Sequence, residues 1–364
     1  MFFMKIFIDT NVFYSDLFMQ NADFKYLFHF LNNEGNSLLL SNLVVQESEN
    51  IRNRELKESL DEIKRNIKKA QKRNKNKLIF DEEGLGIDNY DLASLIKTRT
   101  EYVEEISYDD VLHSEVVGRA LLKKKPFLEG EKGYRDTLIW LSFLSYLVKN
   151  DVKEDVIFIS ENKKDFFKKG DNLIQFHPDL AGDITQKEVK AVITPYASLF
   201  SFVNSVIDKD KHEIDRQKLE EISEDFIERS AAQFMEGMTN TDLCHYFESS
   251  IFETKVKVIR SIRAEIFEGL EDPVVMHTER LDGNDIYVAY SYNLRRVIIE
   301  IDIPIIDYTL NKDELHEIFY DVAIGQDTAT LTCFVRPYFD VSFIYNDKHE
   351  ELKNYEVANL WLSR

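Results

Sequence analysis

Three short apolar runs, Lys5–Ile8, Ser37–Leu40 and Val156–Ile159, punctuate the first half of the chain, separated by stretches far too long for hairpins. Each is rich in large or β-branched apolar residues and gives way to polar or acidic ones, so each reads as a buried strand. Between and around them lie helical patterns over Asp23–Asn32, Leu43–Asn76, Asp88–Tyr102, Tyr108–Lys124 and Tyr134–Lys149. Strands that return through helices pair in parallel and are covered on both faces, so the expected fold class is α/β, a parallel sheet sandwiched by helices. Ligands of such sheets gather beyond the carboxyl ends of the strands, where Asp9 and Asp165 fall.

After about residue 180 the texture changes. Gln186–Ser205 and Arg216–Met238 read as helices, and strands follow at Ile286–Tyr292, Val297–Ile303 and Ala329–Tyr345. In Val297–Ile303 the apolar Val297, Ile299, Ile301 and Ile303 alternate with Glu300 and Asp302, the pattern of an antiparallel strand with one wet face. The sequence therefore divides into residues 1–180 and an α+β domain with an antiparallel meander, residues 181–364. The boundary is expected near Pro178–Asp183, where Pro, Gly and Asp cluster.

Charge separates the halves. The chain carries a formal charge of −20. Residues 1–180 hold 27 basic and 31 acidic residues, net −4, and residues 181–364 hold 19 and 35, net −16. The second half is thus a poor partner for polyanions, whereas the first contains Lys64–Lys77, with eight basic residues and no acid. That run is either a solvated helix face, paired with Glu55, Glu58, Asp61 and Glu62, or a nucleic-acid contact that Lys123–Lys125 extends. Cys244 and Cys333 stand far apart without a partner motif, which excludes a disulfide framework and points to a reducing cytoplasm. The apolar start, Met1–Ile8, is too short to span a membrane, and no later stretch reaches about 20 apolar residues. No histidine spacing suits zinc, and no P-loop or G-x-S-x-G pattern occurs. The tyrosines and phenylalanines of the second half (Tyr287, Tyr290, Tyr292, Tyr308, Tyr338, Phe339, Phe343, Tyr345) read as core, with base stacking as the alternative.

Four acids carry the chemistry. Asp9 ends the first strand in Ile-Asp-Thr-Asn, Glu47 opens the long helix after the second strand, Asp136 lies in the first turn of an otherwise apolar helix, and Asp165 follows the third strand. Singly, Asp9 and Asp165 read as capping or turn acids, Glu47 as a solvated helix residue and Asp136 as a complement to the helix dipole. Together, carboxylates crowded at a sheet's mouth repel one another unless a hard cation lies between them, which suits Mg²⁺ or Mn²⁺.

In these features the N-terminal half resembles the PIN-domain nucleases. The resemblance rests on the strand-Asp-Thr-Asn opening, the Glu of the second long helix, the Gly-Tyr-Arg-Asp helix start and the strand-Ser-x-Asn-x-x-Asp-Phe ending, over residues 4–176. It implies that Asp9, Glu47, Asp136 and Asp165 bind one or two Mg²⁺ or Mn²⁺ ions for phosphodiester hydrolysis, with Asn11, Ser160 and Asn162 in support. Such ions polarise a phosphoryl oxygen and generate hydroxide, leaving a 5′-phosphate and a 3′-hydroxyl. Arg135, Lys132, Lys163 and Lys164, near the same edge, are candidates for binding substrate phosphates.

The expected function is therefore a metal-dependent endoribonuclease, cytoplasmic and without a membrane partner, with a stress or phage-defence effector as a setting. The alternatives are a DNA-directed nuclease using the same acids, and a non-catalytic scaffold that binds a basic protein through its acidic second half. That half is expected to serve regulation or interaction, with a second copy of the chain or a protein regulator as its partner.

Overall fold

The computed structural model describes the chain apart from residues 1, 2, 82, 86, 88, 128–131, 169–173, 208–213, 215 and 364. The start of the helix expected at Asp88 thus lies outside the described residues. Two compact units emerge, Met1–Gln20 with Phe24–Phe202, and Asn21–Asp23 with Val203–Arg364.

The first unit runs β1 (Met4–Ile8), α1 (Thr10–Ser15), α2 (Ala22–Glu34), β2 (Ser37–Ser41), α3 (Asn42–Gln71), α4 (Leu92–Lys97), β3 (Val103–Ile106), α5 (His113–Leu121), α6 (Tyr134–Lys149), β4 (Asp155–Ile159), α7 (Lys163–Phe166), α8 (Pro178–Gln186), β5 (Ile193–Tyr196) and α9 (Leu199–Val206). Its five strands are all parallel, in the order β3-β2-β1-β4-β5. The α/β expectation holds for this half. The central strands are fully buried, Ile6, Phe7 and Ile8 in β1 and Val156, Phe158 and Ile159 in β4, which is why both read as unbroken apolar runs instead of alternating ones. Phe7 stacks on Phe158 at 5.1 Å, and Phe143, Trp140, Phe166 and Phe176 pack around the Phe158 ring. α6 is apolar nearly all round because it is buried nearly all round.

From β1 the chain steps outward through β2 to β3, then returns to lay β4 on the other side of β1. The strand order therefore reverses between β1 and β4. Their carboxyl ends lie side by side, with Ile8 opposite Ile159 and the Asp9 N–H donating to the Ile159 carbonyl at 3.0 Å. A crevice at this point follows from the topology, since the helices after β1 and β4 depart from the reversal in different directions.

Several elements differ from expectation. Tyr108–Lys124 contracts to α5, and Asp88–Tyr102 to the short α4. The Pro-Gly-Asp cluster at 178–183 is not a linker but lies within α8, with Pro178 in the first turn, where a missing N–H costs nothing. Gln186–Ser205 is not one helix: it contains β5, which pairs with β4. The first unit accordingly extends to Phe202, beyond the expected boundary at 180.

The second unit contains α10 (Arg216–Glu236), α11 (Asn240–Tyr246), α12 (Ile251–Thr254), β6 (Ser261–Arg280), β7 (Asp285–Pro304), α13 (Ile305–Leu310), α14 (Lys312–Ile318), β8 (Asp321–Ile324), β9 (Thr328–Asn346) and β10 (Glu351–Ser363). It forms an antiparallel sheet in the order β10-β9-β7-β6, with β8 on β9. In β7 Val297, Ile299, Ile301 and Ile303 are buried while Glu300 and Asp302 are part-exposed, as the alternation required. Among the aromatic side chains, Tyr287, Tyr290, Tyr292, Tyr308, Phe339, Phe343 and Tyr345 are buried, which makes them core. No helix among the described residues is long and apolar enough to cross a membrane.

Phe158 sits at the centre of the first unit's aromatic cluster. Phe158→Ala is expected to lower that unit's unfolding free energy by about 3–5 kcal/mol, read as an earlier midpoint in urea. An unchanged midpoint would mean that the cluster contributes little.

Candidate active site

Asp9 follows the last residue of β1 and caps α1. Its Oδ1 accepts the Thr10 N–H at 2.8 Å, and its Oδ2 accepts the hydroxyl of Ser160, the residue after β4, at 2.7 Å. The capping role and the site role therefore coincide in one side chain. Ser160 Oγ in turn accepts the Asn162 N–H at 3.1 Å and the Asn11 amide at 3.5 Å, and Asn11 Oδ1 accepts the Glu161 N–H at 3.2 Å. Asn11 and Ser160 thus tie the two strand ends together around the buried carboxylate, and the Asn162 N–H braces Ser160.

Glu47 lies in the second turn of α3. Its Oε2 accepts the Thr10 hydroxyl at 2.9 Å, and its Oε1 pairs with Arg135 at the start of α6. One residue further on, Asp136 is delivered by an unusual helix start. Gly133 precedes α6 at φ +95°, and a Cβ there would stand 2.2 Å from the Pro126 carbonyl oxygen, so only glycine lets α6 begin so close to that segment.

Asp9, Glu47, Asp136 and Asn162 line one cleft of about 370 Å³, together with Thr10, Asn11, Tyr14 and Ile51. Asp165 is not among the lining residues. It lies in α7, where its Oδ2 accepts the Asn162 amide at 3.0 Å and its Oδ1 pairs with Lys125 Nζ at 3.0 Å. Lys125 is itself braced, since Arg119 Nε donates to its carbonyl at 2.7 Å and Arg119 is buried against Asp183 at 2.6 Å. Lys132, Lys163 and Lys164 are exposed and do not line the cleft. Lys125, expected with Lys123 and Lys124 to extend a nucleic-acid contact, is instead committed to Asp165, and neither Thr10 nor Tyr14 is among the residues expected at the site. Only Thr10, inside the Asp-Thr-Asn opening, carried a signal that could have found it.

The electrostatics are unfavourable by construction. Burial lifts the Asp9 carboxyl from its ordinary 3.8 to about 7, against the Ser160 and Thr10 hydrogen bonds that lower it, while the nearby Asp136 and Glu47 charges raise it further. Burial also lifts Asp136, to about 6, with Asp165 and Glu47 adding repulsion. Yet among the described residues no three His, Cys, Asp or Glu side chains are grouped as a ready metal site. Two of the four acids are drawn toward protein cations instead, Glu47 to Arg135 and Asp165 to Lys125. The donor set nevertheless fits a hard divalent ion: all oxygen, several carboxylates, and two of them raised in pKa chiefly by burial and further by the charge of neighbouring carboxylates.

In the unfolded chain the Asp9 carboxyl ionises near its ordinary value, whereas in the folded chain it keeps its proton up to about 7. Between those values the folded state binds the extra proton, so the group's contribution to stability falls as pH rises through that window, by on the order of a few kcal/mol in all. Asp9→Asn is therefore expected to raise the thermal midpoint at pH 8 and to change it little at pH 5. A loss at pH 8, or equal effects at both pH values, would contradict this. Gly133→Val is expected to destabilise the first unit by roughly 1–3 kcal/mol, measured by chemical unfolding.

Comparison with curated proteins and with solved structures gives no match. Residues 6–166 match the model of the PIN domain family, a span from the third residue of β1 to the end of α7 that contains all four acids and the strand reversal. PIN domains are generally nucleases and typically use divalent metals. The N-terminal half of this chain is therefore PIN-like, a domain with a nuclease-type fold.

Proposed function

We propose that this protein is a metal-dependent ribonuclease that hydrolyses RNA phosphodiesters in the cleft between the carboxyl ends of β1 and β4. The observation that carries the proposal is the meeting of Asp9, Glu47 and Asp136, from three separated segments, in one cleft where burial holds the pKa of Asp9 and Asp136 above its ordinary value. Structural acids are normally paired or solvated; Asp9 and Asp136, buried beside Glu47 with no ion-paired cation of their own among the described residues, are what a site completed from outside looks like.

Asp9, Glu47 and Asp136 would hold Mg²⁺ or Mn²⁺, with Asp165 close behind Asp136. When bound, the ion supplies a Lewis acid for a phosphoryl oxygen and lowers the pKa of a coordinated water. The chain's own residues do the rest. Ser160 and the Thr10 N–H fix the Asp9 carboxylate so that it need not reorganise, and the Thr10 hydroxyl fixes Glu47. Arg135 is largely exposed and, among the described residues, is ion-paired with Glu47 alone, so its guanidinium can turn to a phosphate once Glu47 has another cation. Asn11 ties the end of β1 to the segment after β4, while Asn162 bonds within that segment, to Ser160 and Asp165.

The test is cleavage of end-labelled single-stranded RNA, and of the matched DNA, with Mg²⁺ or Mn²⁺. Wild type is expected to cut RNA, and Asp9→Asn and Asp136→Asn each to lose about 10²-fold or more in kcat. Exclusive cutting of DNA would replace the substrate. Equal activity in the variants, or an inactive wild type, would leave the scaffold alternative in which the acidic half binds a protein.

A further inference from the structure

We infer that the distal end of α3 and the turn after it form a cationic anchor for the RNA strand being cut. The identity of the occupant rests on the nuclease reading above. Glu47 lies near the beginning of α3 and Gln71 at its end. At 1.5 Å per residue the helix carries the chain about 36 Å from the cleft.

At that end the charge is one-signed. Lys68 and Lys69 occupy the last helical turn, and Lys72, Arg73, Lys75 and Lys77 follow it, all exposed. No carboxylate among the described residues pairs with these six side chains. The upstream acids do not reach them: Glu55 accepts the Tyr14 hydroxyl at 3.0 Å, and Arg65 turns its Nε to the Asp61 backbone carbonyl at 3.3 Å. A helix dipole is complemented by one or two cations in the last turn, which leaves the four beyond the helix without a structural task.

The tip is also built. Gln71 Nε2 donates to the Asn74 and Asn76 carbonyls at 3.0 and 3.1 Å, and its Oε1 accepts the Leu78 N–H at 2.6 Å. One side chain thus closes the turn that carries Lys72, Arg73, Lys75 and Lys77, so less backbone freedom remains to be lost on binding. Charge complementarity selects the occupant. In a chain of net charge −20 this is the one strongly positive segment, and it suits a phosphate backbone. Between cleft and tip the helix carries both signs, Glu49, Glu55, Glu58, Asp61 and Glu62 against Arg52, Arg54, Lys57, Lys64 and Arg65, and so offers no net attraction to that backbone, which leaves the cleft and the tip as the two holding points. The separation corresponds to roughly ten stacked nucleotides at 3.4 Å each.

The experiment compares full-length wild type with the combined Lys68→Gln, Lys69→Gln, Lys72→Gln and Arg73→Gln variant, since Gln keeps helix propensity. Fluorescence anisotropy of a labelled 30-nucleotide RNA is measured without divalent ions, over a salt series. The variant is expected to bind at least 10-fold more weakly, with a log–log salt slope shallower by about 2–3. In cleavage its KM for the 30-mer rises while kcat is kept, and the difference from wild type disappears as the RNA is shortened to six nucleotides. Unchanged affinity and slope alongside normal cleavage would overturn the anchor and leave the nuclease reading standing. Tip-dependent binding by a wild type that cuts nothing would uphold the anchor and overturn the nuclease reading. A variant whose RNA affinity is unchanged but whose mass in sedimentation falls would assign the tip to a protein contact and overturn the inference.

Discussion

A carboxylate buried at the end of an apolar strand is expensive, and the first unit is arranged around that expense. Asp9 stands where β1 and β4 end side by side, directly after the buried apolar run Ile6–Ile8 and beside Ile159. Its ionised form is offset by a hydrogen bond from the helix it caps and by one from Ser160, and these are not enough to hold its pKa at the ordinary value. Adding Glu47 and Asp136 to the same cleft makes matters worse. A fold selected for stability alone would not assemble them. The arrangement makes physical sense as a site whose missing charge arrives from solution.

Protein cations meanwhile hold part of the set. Arg135 pairs with Glu47, and Lys125 pairs with Asp165 from a segment braced by the buried Arg119–Asp183 bridge. The two pairs differ in character. Arg135 is mostly exposed and can leave at little cost, whereas Lys125 and Asp165 are both mostly buried, so that pair is costly to break. Asp9, Glu47 and Asp136 are therefore the adaptable acids, and Asp165 acts on the cleft chiefly through the repulsion it exerts on Asp136.

Much of this was legible in the sequence because burial on both faces writes itself as an uninterrupted apolar run. The three runs at residues 5, 37 and 156 are β1, β2 and β4, the strands nearest the middle of the sheet. The two missed strands are its edges. β3 carries Glu104 and Glu105, and β5 carries Pro195, residues that protect an edge from further pairing and thereby erase the pattern of a strand. In the second unit β7 was readable where one face is wet, whereas β6, with register shifts between Ile266 and Glu268, Glu271 and Val274, and Val275 and His277, was not. The positions of the four acids on their elements were legible because each lies near a strand end or a helix start. Lys125 was not, since its meeting with Asp165 depends on a helix and a turn that only the tertiary structure brings together.

The most direct measurement is the anomalous scattering of manganese in crystals of the full chain equilibrated with Mn²⁺ at pH 8, where Asp9 and Asp136 are ionised. A peak in the cleft, with oxygens of Asp9, Asp136 and Glu47 around it and the Glu47–Arg135 pair opened, is the result expected. An empty cleft at saturating Mn²⁺, with Glu47 still on Arg135, would contradict the claim that these acids form a cation site.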